Sequence, residues 1–398
     1  MIPSAIILAV LPLAYWPGAY PFTMPKVQVI VCALAICCMK WESGPRPPAK
    51  ALRGLMALGV LWLGIAFQWS VDITDSVYGR GNDYATGFWA ILAYATLFLS
   101  ASNVAQEQHE ELKGLAVKAG TLCAIVGILQ YVGARTGFVS EIVGGRAVGT
   151  IGGPPYFGAY LAMIAPLALG RKSWLSLVLI ILGVGASGSR GAFLALFVSV
   201  LTYFGMREDI RERFKSVGTA WSAGIVGLAL AIPGFLARPL LMSDAGRVEA
   251  WKEAWQQFLN HPWHGYGVFA AMAPSQGYKA LHLHAHNDFL EVLAVAGLPA
   301  LIIYAAAWAV LIYYAIRSEK PEYCGALAAL FVTLKLNPPC LASCSVAAVL
   351  AGLMVVEKFD CFGLDYDICD PAEMMGVSEA ALGPVEFSES ALIERGEE

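Results

Sequence analysis

Three histidines at alternate positions, His282, His284 and His286, stand at the head of the apolar run "ALHLHAHNDFLEVLAVAGLPALIIYAAAWAV" (280–310). They are half of the six histidines in the chain. An imidazole titrates near neutrality, so a neutral ring can take a proton from an attacking hydroxyl. A spacing of two places the rings on one face of an extended segment, which is also compatible with metal binding. No further Cys, Asp or Glu follows at the spacing of a metal signature, so no metal ligand is assigned to the run. A purely structural reading stands beside these, because His286-Asn287-Asp288 suits the start of a helix, where Asn and Asp accept from first-turn amides.

A second set of residues has complementary chemistry. Arg80 lies in "DSVYGRGND" (75–83), Arg146 in "GGRAVGTIGGPPYF" (144–157), Arg190 in "GSRGA" (188–192) and Arg247 in "DAGRVEAWKEAW" (244–255). Each sits in a Gly-rich or helix-end context. Arginine grips phosphate with a forked pair of donors and keeps its charge at all relevant pH, and adjacent glycines let backbone amides approach an anion. Taken singly, each could be an interfacial anchor that snorkels toward headgroups, as Arg135, Arg238 and Lys279 could. Taken together they point to a phosphate or pyrophosphate ligand. Neither Gly-rich stretch ends in the Gly-Lys-Ser/Thr of a nucleotide P-loop. Arginines beside the histidines would hold a ring neutral, as a base must be, and would stabilise a departing pyrophosphate without a general acid. Sugar transfer from a lipid pyrophosphate needs no more than that, and no carboxylate pair of the glycosidase kind is required.

The elements that position these residues are set by composition. Of 398 residues, 58% are hydrophobic and 14% charged, and the formal net charge of −4 gives a nucleic-acid role no electrostatic support. Apolar blocks near the ~20 residues needed to cross a bilayer as a helix recur at 52–69, 85–102, 114–133, 155–170, 173–187, 191–205, 218–236 and 289–315. Shorter blocks at 2–15, 26–39, 323–337 and 341–357 are further candidates. Backbone in lipid must satisfy its own hydrogen bonds, and the alternation of a barrel strand is absent, so the expectation is an all-α, polytopic helical membrane protein with about 10–12 spans. The N-terminus lacks a basic leader region and reads as a retained first span. The nine cysteines fall mostly in spans or in the tail and form no disulfide framework.

Basic loops stay cytoplasmic. Lys40, Arg46, Lys50 and Arg53, then Arg171 and Lys172, then Arg207, Arg211, Arg213 and Lys215, then Arg317 and Lys320 all fall on one face if about twelve spans are counted. Both termini then lie in the cytoplasm. The four arginines and the histidine run fall on the opposite face, where the long segment 237–288 forms the largest loop. A lipid-linked sugar pyrophosphate is the anion that such a face offers.

These stretches resemble a known family. "HNDFLEVLAVAGLPALIIY" is similar to the His-Asn-x-x-Leu…Gly-Leu signature of the O-antigen ligase and polymerase superfamily. "GRAVGTIGGPPYFGAYLAMIAPLAL" resembles its Arg-x-x-Gly-Thr…Asn-Pro-Asn-Tyr-Phe-x-x-Tyr-Leu stretch, "GSRGAFLAL" its Ser-Arg-Gly-Ala span start, and "GRVEAWKEAWQQFLNHPWHGYG" its Arg…Trp…Ala…Pro…Gly-x-Gly segment. The matches keep the family's order over roughly 140–315. The resemblance implies a GT-C-like, metal-independent, inverting glycosyltransferase without a cofactor, sited in the bacterial inner membrane and acting at its periplasmic face. It would move a glycan from undecaprenyl pyrophosphate to an acceptor: lipid A-core for a ligase of lipopolysaccharide biosynthesis, another repeat unit for a polymerase. Carried over residue by residue, His286 is the base and Arg146, Arg190 and Arg247 contact pyrophosphate; Arg80 is a looser match. Asn287, His284 and His282 are candidates for substrate binding. Two departures stand out: Gly153-Pro154-Pro155 replaces the family's Asn-Pro-Asn, and Ala294-Val295-Ala296-Gly297 lacks the carboxylate of Ala-Glu-x-Gly.

Two segments remain. Arg247, Trp251 and Trp255 repeat every four residues and share a helical face, either as an interfacial anchor or flanking a sugar or polyprenyl chain. Residues 358–398 are acidic, poor in large apolar side chains and expected to be a disordered cytoplasmic tail after a transmembrane domain over 1–357. A transporter of lipid-linked sugar or another anion is the rival of a different class, but transport paths carry ionisable groups inside spans, whereas these gather at one face.

Overall fold

In the computed structural model, the described residues are 1–16, 21–39, 50–70, 73–79, 84–133, 145–207, 245–266, 284–318 and 320–355. They are helical almost wherever the apolar blocks fall, since a chain that sheds water must close its own backbone hydrogen bonds. In chain order the helices are α1 (Ile2–Leu13, passing through π and 3-10 geometry), α2 (Met24–Met39), α3 (Lys50–Ala66), α4 (Ile73–Tyr78), α5 (Phe88–Ala101), α6 (His109–Tyr131) and α7 (Pro154–Gly170). After these come α8 (Trp174–Ser187), α9 (Arg190–Met206), α10 (Ala245–Asn260), α11 (Asp288–Arg317), α12 (Pro321–Leu334) and α13 (Leu341–Met354). The described residues contain no strand. The block at 218–236 lies outside the described residues. The chain divides into two compact units, Met1–Glu357 and Lys358–Glu398, and the second also lies outside them.

Three helical stretches, Leu52–Trp69, Gln106–Tyr131 and Asp288–Arg317, are long and apolar enough to cross a membrane alone. Of the others, α5 and α12 run shorter than their apolar blocks. α12, expected to reach 337, stops at Leu334, and the chain continues as Lys335-Leu336-Asn337-Pro338-Pro339, whose prolines cannot extend a helix.

α7 is the hub. It is buried along nearly its whole length and packs on α8, α9 and α12, while α13 packs on α5, α3 on α11, and α10 on α11. Small residues allow the close approaches that helices make in lipid. A Cβ on Gly158 would lie 2.5 Å from Ala192 Cβ, and one on Gly325 2.7 Å from the Ser199 carbonyl oxygen. The outer faces are apolar instead of charged: Leu175 is 74% exposed, Leu61 61% and Ile302 60%. Water would not tolerate so continuous an apolar surface, whereas hydrocarbon does. The molecule is an all-α, multi-pass membrane protein.

Charged groups sort to the bundle ends. At one end Lys113 pairs with Glu322 at 2.7 Å and with Glu110, and Arg171 pairs with Glu110 at 3.0 Å. The start of α6, the end of α7 and the start of α12 therefore meet there. Two of the basic loops expected on the cytoplasmic side, at 171–172 and 317–320, adjoin this end. Arg146, Arg190 and the turn of His284 and His286 lie at the other.

Candidate active site

The arginine half of the site is built on a turn clamped between two helices. Gln130, in the last turn of α6, accepts with Oε1 from the amides of Val148 (3.1 Å) and Gly149 (2.8 Å), and its Nε2 donates to the Gly149 carbonyl at 3.2 Å. Lys26 supports the same turn from below, donating to the carbonyls of Ala14, Phe22 and Thr150 at 2.8–2.9 Å. With the turn so fixed, the Ala147 amide donates to the Ala186 carbonyl at 3.0 Å and Arg146 Nε to the Ser187 carbonyl at 2.9 Å. Those carbonyls are acceptors left open at the end of α8. Gly188 takes a left-handed conformation there (φ 54°), Ser189 caps α9 by accepting from the Ala192 amide, and Arg190 is the first residue of that helix. Arg146 is half-buried and Arg190 exposed. "GRAVGT" and "GSRGA" thus meet at one helix junction.

The histidine half is a turn leading into α11. Asn287 is its N-cap and accepts from the amides of Phe289 (3.1 Å) and Leu290 (3.3 Å), as the sequence suggests. Its carboxamide oxygen is therefore committed to the helix start. Glu291 folds back one turn: Oε2 accepts from the Ala285 amide at 2.6 Å, and Oε1 lies 3.3 Å from His284 Nδ1. His286, held between these anchors, is half-buried and has φ 52°, a left-handed backbone that a non-glycine residue adopts at a cost of roughly 1–3 kcal/mol and that tends to recur at working sites. His282 and Arg80 lie outside the described residues.

α10, which carries Arg247 in its first turn, docks on this turn. Ala250 and Ala254 pack with Ala285 and Ala294 in one buried cluster, closed by Leu290. Arg247 continues the same stripe one turn earlier, since residues three and seven apart share a helical face. Trp255, expected on the face of Arg247, is instead exposed with Leu259 and Trp263 away from the alanine stripe, as an interfacial anchor would be, while Trp251 is half-buried. What fixes the docking is a break in α11. Gly297 has φ 78° and ψ −176°, and Pro299 follows, so the ladder opens. The freed groups find partners across the break. The Tyr266 amide donates to the Ala294 carbonyl, the Leu298 amide to the Pro262 carbonyl, and Trp62 Nε1 to the Ala296 carbonyl, each at 2.9 Å. The "HPWHGY" (261–266) and "AGLP" (296–299) stretches are the two sides of one joint.

A contact path joins the two halves. A Cβ on Gly191 would stand 3.3 Å from Leu336 Cδ1 and 3.5 Å from Asn337 Nδ2, so the start of α9 rests on the segment after α12. One residue earlier, Lys335 Nζ is 2.5 Å from Asp288 Oδ1, two residues beyond His286. Arg146, Arg190 and the histidine turn therefore share one end of the bundle, with α10 docked on that turn. Behind them lies a cavity of about 390 Å³ with Asp288 and Glu291 in its wall and an otherwise apolar lining that includes Met56, Phe98, Trp308 and Leu327.

Sequence reasoning passed over Glu291, Lys335 and Gln130, and it gave Asp288 a capping role where the structure pairs its carboxylate with Lys335 and leaves the cap to Asn287. A signal existed for Lys335, because a lone lysine in an apolar stretch calls for a named partner. None existed for Gln130, whose partners lie far from it in sequence or on backbone amides.

The class is thus a helical, multi-pass membrane protein with histidine and guanidinium groups gathered at one end. Residues 175–305 match the family model described as O-antigen ligase. An O-antigen ligase of Pseudomonas aeruginosa is 27% identical over 161 residues, a match that covers 40% of this chain and 37% of that relative's length. Over these stretches, which hold the ordered Arg, Gly and His motifs, the chain is similar to O-antigen ligases.

Proposed function

We propose that the protein transfers a glycan from undecaprenyl pyrophosphate to an acceptor hydroxyl at the periplasmic face of the bacterial inner membrane, with both termini in the cytoplasm. His286 removes the proton of the attacking hydroxyl as that oxygen bonds to the anomeric carbon. The carbon–oxygen bond to pyrophosphate breaks in the same displacement, which inverts the configuration. Arg146, Arg190 and Arg247, with Arg80 in support, carry the charge left on the diphosphate, so neither a metal nor a cofactor is required. His284 and His282 contribute to acceptor or donor binding.

The observation that carries this reading is the meeting of the "GRAVGT" turn, the "GSRGA" helix start and the histidine turn at one bundle end. The cavity behind them supports a lipid-borne substrate, because an apolar chain could lie there while its head group stays among the cations. On the motif resemblance, the acceptor is lipid A-core or a related glycan. A repeat-unit polymerase uses the same chemistry and is the second reading. A transporter of lipid-linked sugar is disfavoured, since the ionisable groups lie at the ends of the spans.

The test is transfer by purified protein in nanodiscs, with a defined undecaprenyl-pyrophosphate glycan and either lipid A-core or free glycan as acceptor. Release of undecaprenyl pyrophosphate together with an extended acceptor is expected. Donor that crosses the bilayer unchanged would instead establish transport.

A further inference from the structure

Lys335 stands where the two halves of the site touch. It follows the last residue of α12 in "TLKLNPPC" (333–340) and is buried. Its ammonium lies 2.5 Å from Asp288 Oδ1, and Tyr304 donates its hydroxyl to Asp288 Oδ2 at 2.6 Å. Aromatic rings enclose the ammonium: it is 3.6 Å from the centroid of Phe289, 4.3 Å from that of Phe331 and 5.9 Å from that of Trp308. The rings brace one another edge to face, with centroids 5.0 Å apart for Trp308 and Phe331 and 5.6 Å for Phe289 and Tyr304.

The pair has one foot on each half. Asp288 is the first residue of α11, directly after the Asn287 cap. Lys335 leads into Leu336 and Asn337, on which Gly191 rests beside Arg190. A buried ion pair adds little to stability compared with apolar residues of the same volume, and its best-attested use is to fix register between elements. The ring cage serves that use, because cation–π attraction holds the ammonium from the sides the carboxylate leaves open.

We propose that Lys335, Asp288 and Tyr304 form a positioning device that sets the distance between the histidine turn and the arginine-bearing start of α9. None of the three touches the reacting atoms; they act through His286 and Arg190. The proposal rests on the glycosyl-transfer reading above.

The test uses full-length protein in nanodiscs, with Asp288→Asn/Lys335→Met as the main variant, since removing both charges leaves neither stranded in the interior. Donor KM, kcat and hydrogen exchange of the amides at 284–291 are measured on each protein. A loosened histidine turn predicts exchange there faster by at least about tenfold. It also predicts kcat lower by about 10²-fold with donor KM changed by less than about threefold, because a misplacement near 1 Å suffices for such a loss. Tyr304→Phe removes one hydrogen bond and keeps the ion pair, so a kcat loss of about fivefold is expected. If the double variant folds with kcat and exchange near those of the parent, the pair is mere charge compensation and the proposal fails. If the double variant does not fold, Tyr304→Phe decides by the same two readouts. If the parent transfers no sugar, the functional reading fails by itself, and exchange at 284–291 still decides whether the device holds the turn.

Discussion

Replacing Gly297 by alanine should undock α10 and 261–266 from α11 without unfolding the bundle. A Cβ at this position would lie 2.3 Å from the Trp263 carbonyl oxygen and 2.8 Å from the His264 amide nitrogen, both backbone atoms that cannot swing aside. The backbone itself, at φ 78° and ψ −176°, is a region left almost wholly to glycine. Backbone strain alone costs about 1–3 kcal/mol. If the joint opens instead, it loses the bonds from Tyr266 to Ala294 and from Leu298 to Pro262, worth about 1 kcal/mol each. The opened joint is therefore weaker by about 2 kcal/mol, which corresponds to about 30-fold faster hydrogen exchange at the amides of Tyr266 and Leu298. Arg247, carried by the first turn of α10, would then shift with that helix, and glycan transfer should fall with it. Exchange read by mass spectrometry on Gly297→Ala, beside Gly185→Ala where a Cβ meets nothing within 4 Å, isolates the joint from general loss of fold. Unaltered exchange at 262–266 in Gly297→Ala would refute the claim that this contact fixes α10.

Three further outcomes follow from the same geometry. His286→Asn keeps a residue that tolerates the left-handed backbone, so the protein should retain its melting temperature while transfer falls by about 10²–10⁴-fold, as measured with lipid-linked donor. Arg190→Lys keeps the charge but loses the fork, so donor KM should rise by about tenfold with a smaller change in kcat, read from steady-state rates over donor concentration. At the opposite end, Lys113→Met leaves Glu322 buried beside no ammonium and should cost about 3 kcal/mol of stability. Adding Glu322→Gln should recover most of it in thermal melts, with kcat per folded molecule unchanged throughout.

Much of this protein was legible in its sequence because lipid imposes one strong rule. Helices appear at each described apolar block, from 2–15 to 341–357, since backbone in hydrocarbon has no other way to satisfy itself. The start of α11 at Asp288, capped by Asn287, was legible for a similarly local reason: the cap bonds span two and three residues. The ordered Arg, Gly and His motifs were legible as a set of chemical types.

What their spacing could not say is which of them meet. Arg146 reaches Ser187 across 41 residues, Lys335 reaches Asp288 across 47, and the Gly265–Gly297 joint closes between two motifs that read separately as a turn and a helix. Such contacts depend on where helix ends fall once ridges and small residues have packed, and no local pattern encodes that. Hydrophobic blocks determined that the chain spans a membrane and which residues lie at its ends. Only tertiary packing decided that one lysine, one aspartate and one glycine hold those ends in register, because charge pairs and close backbone contacts act through space and not along the chain.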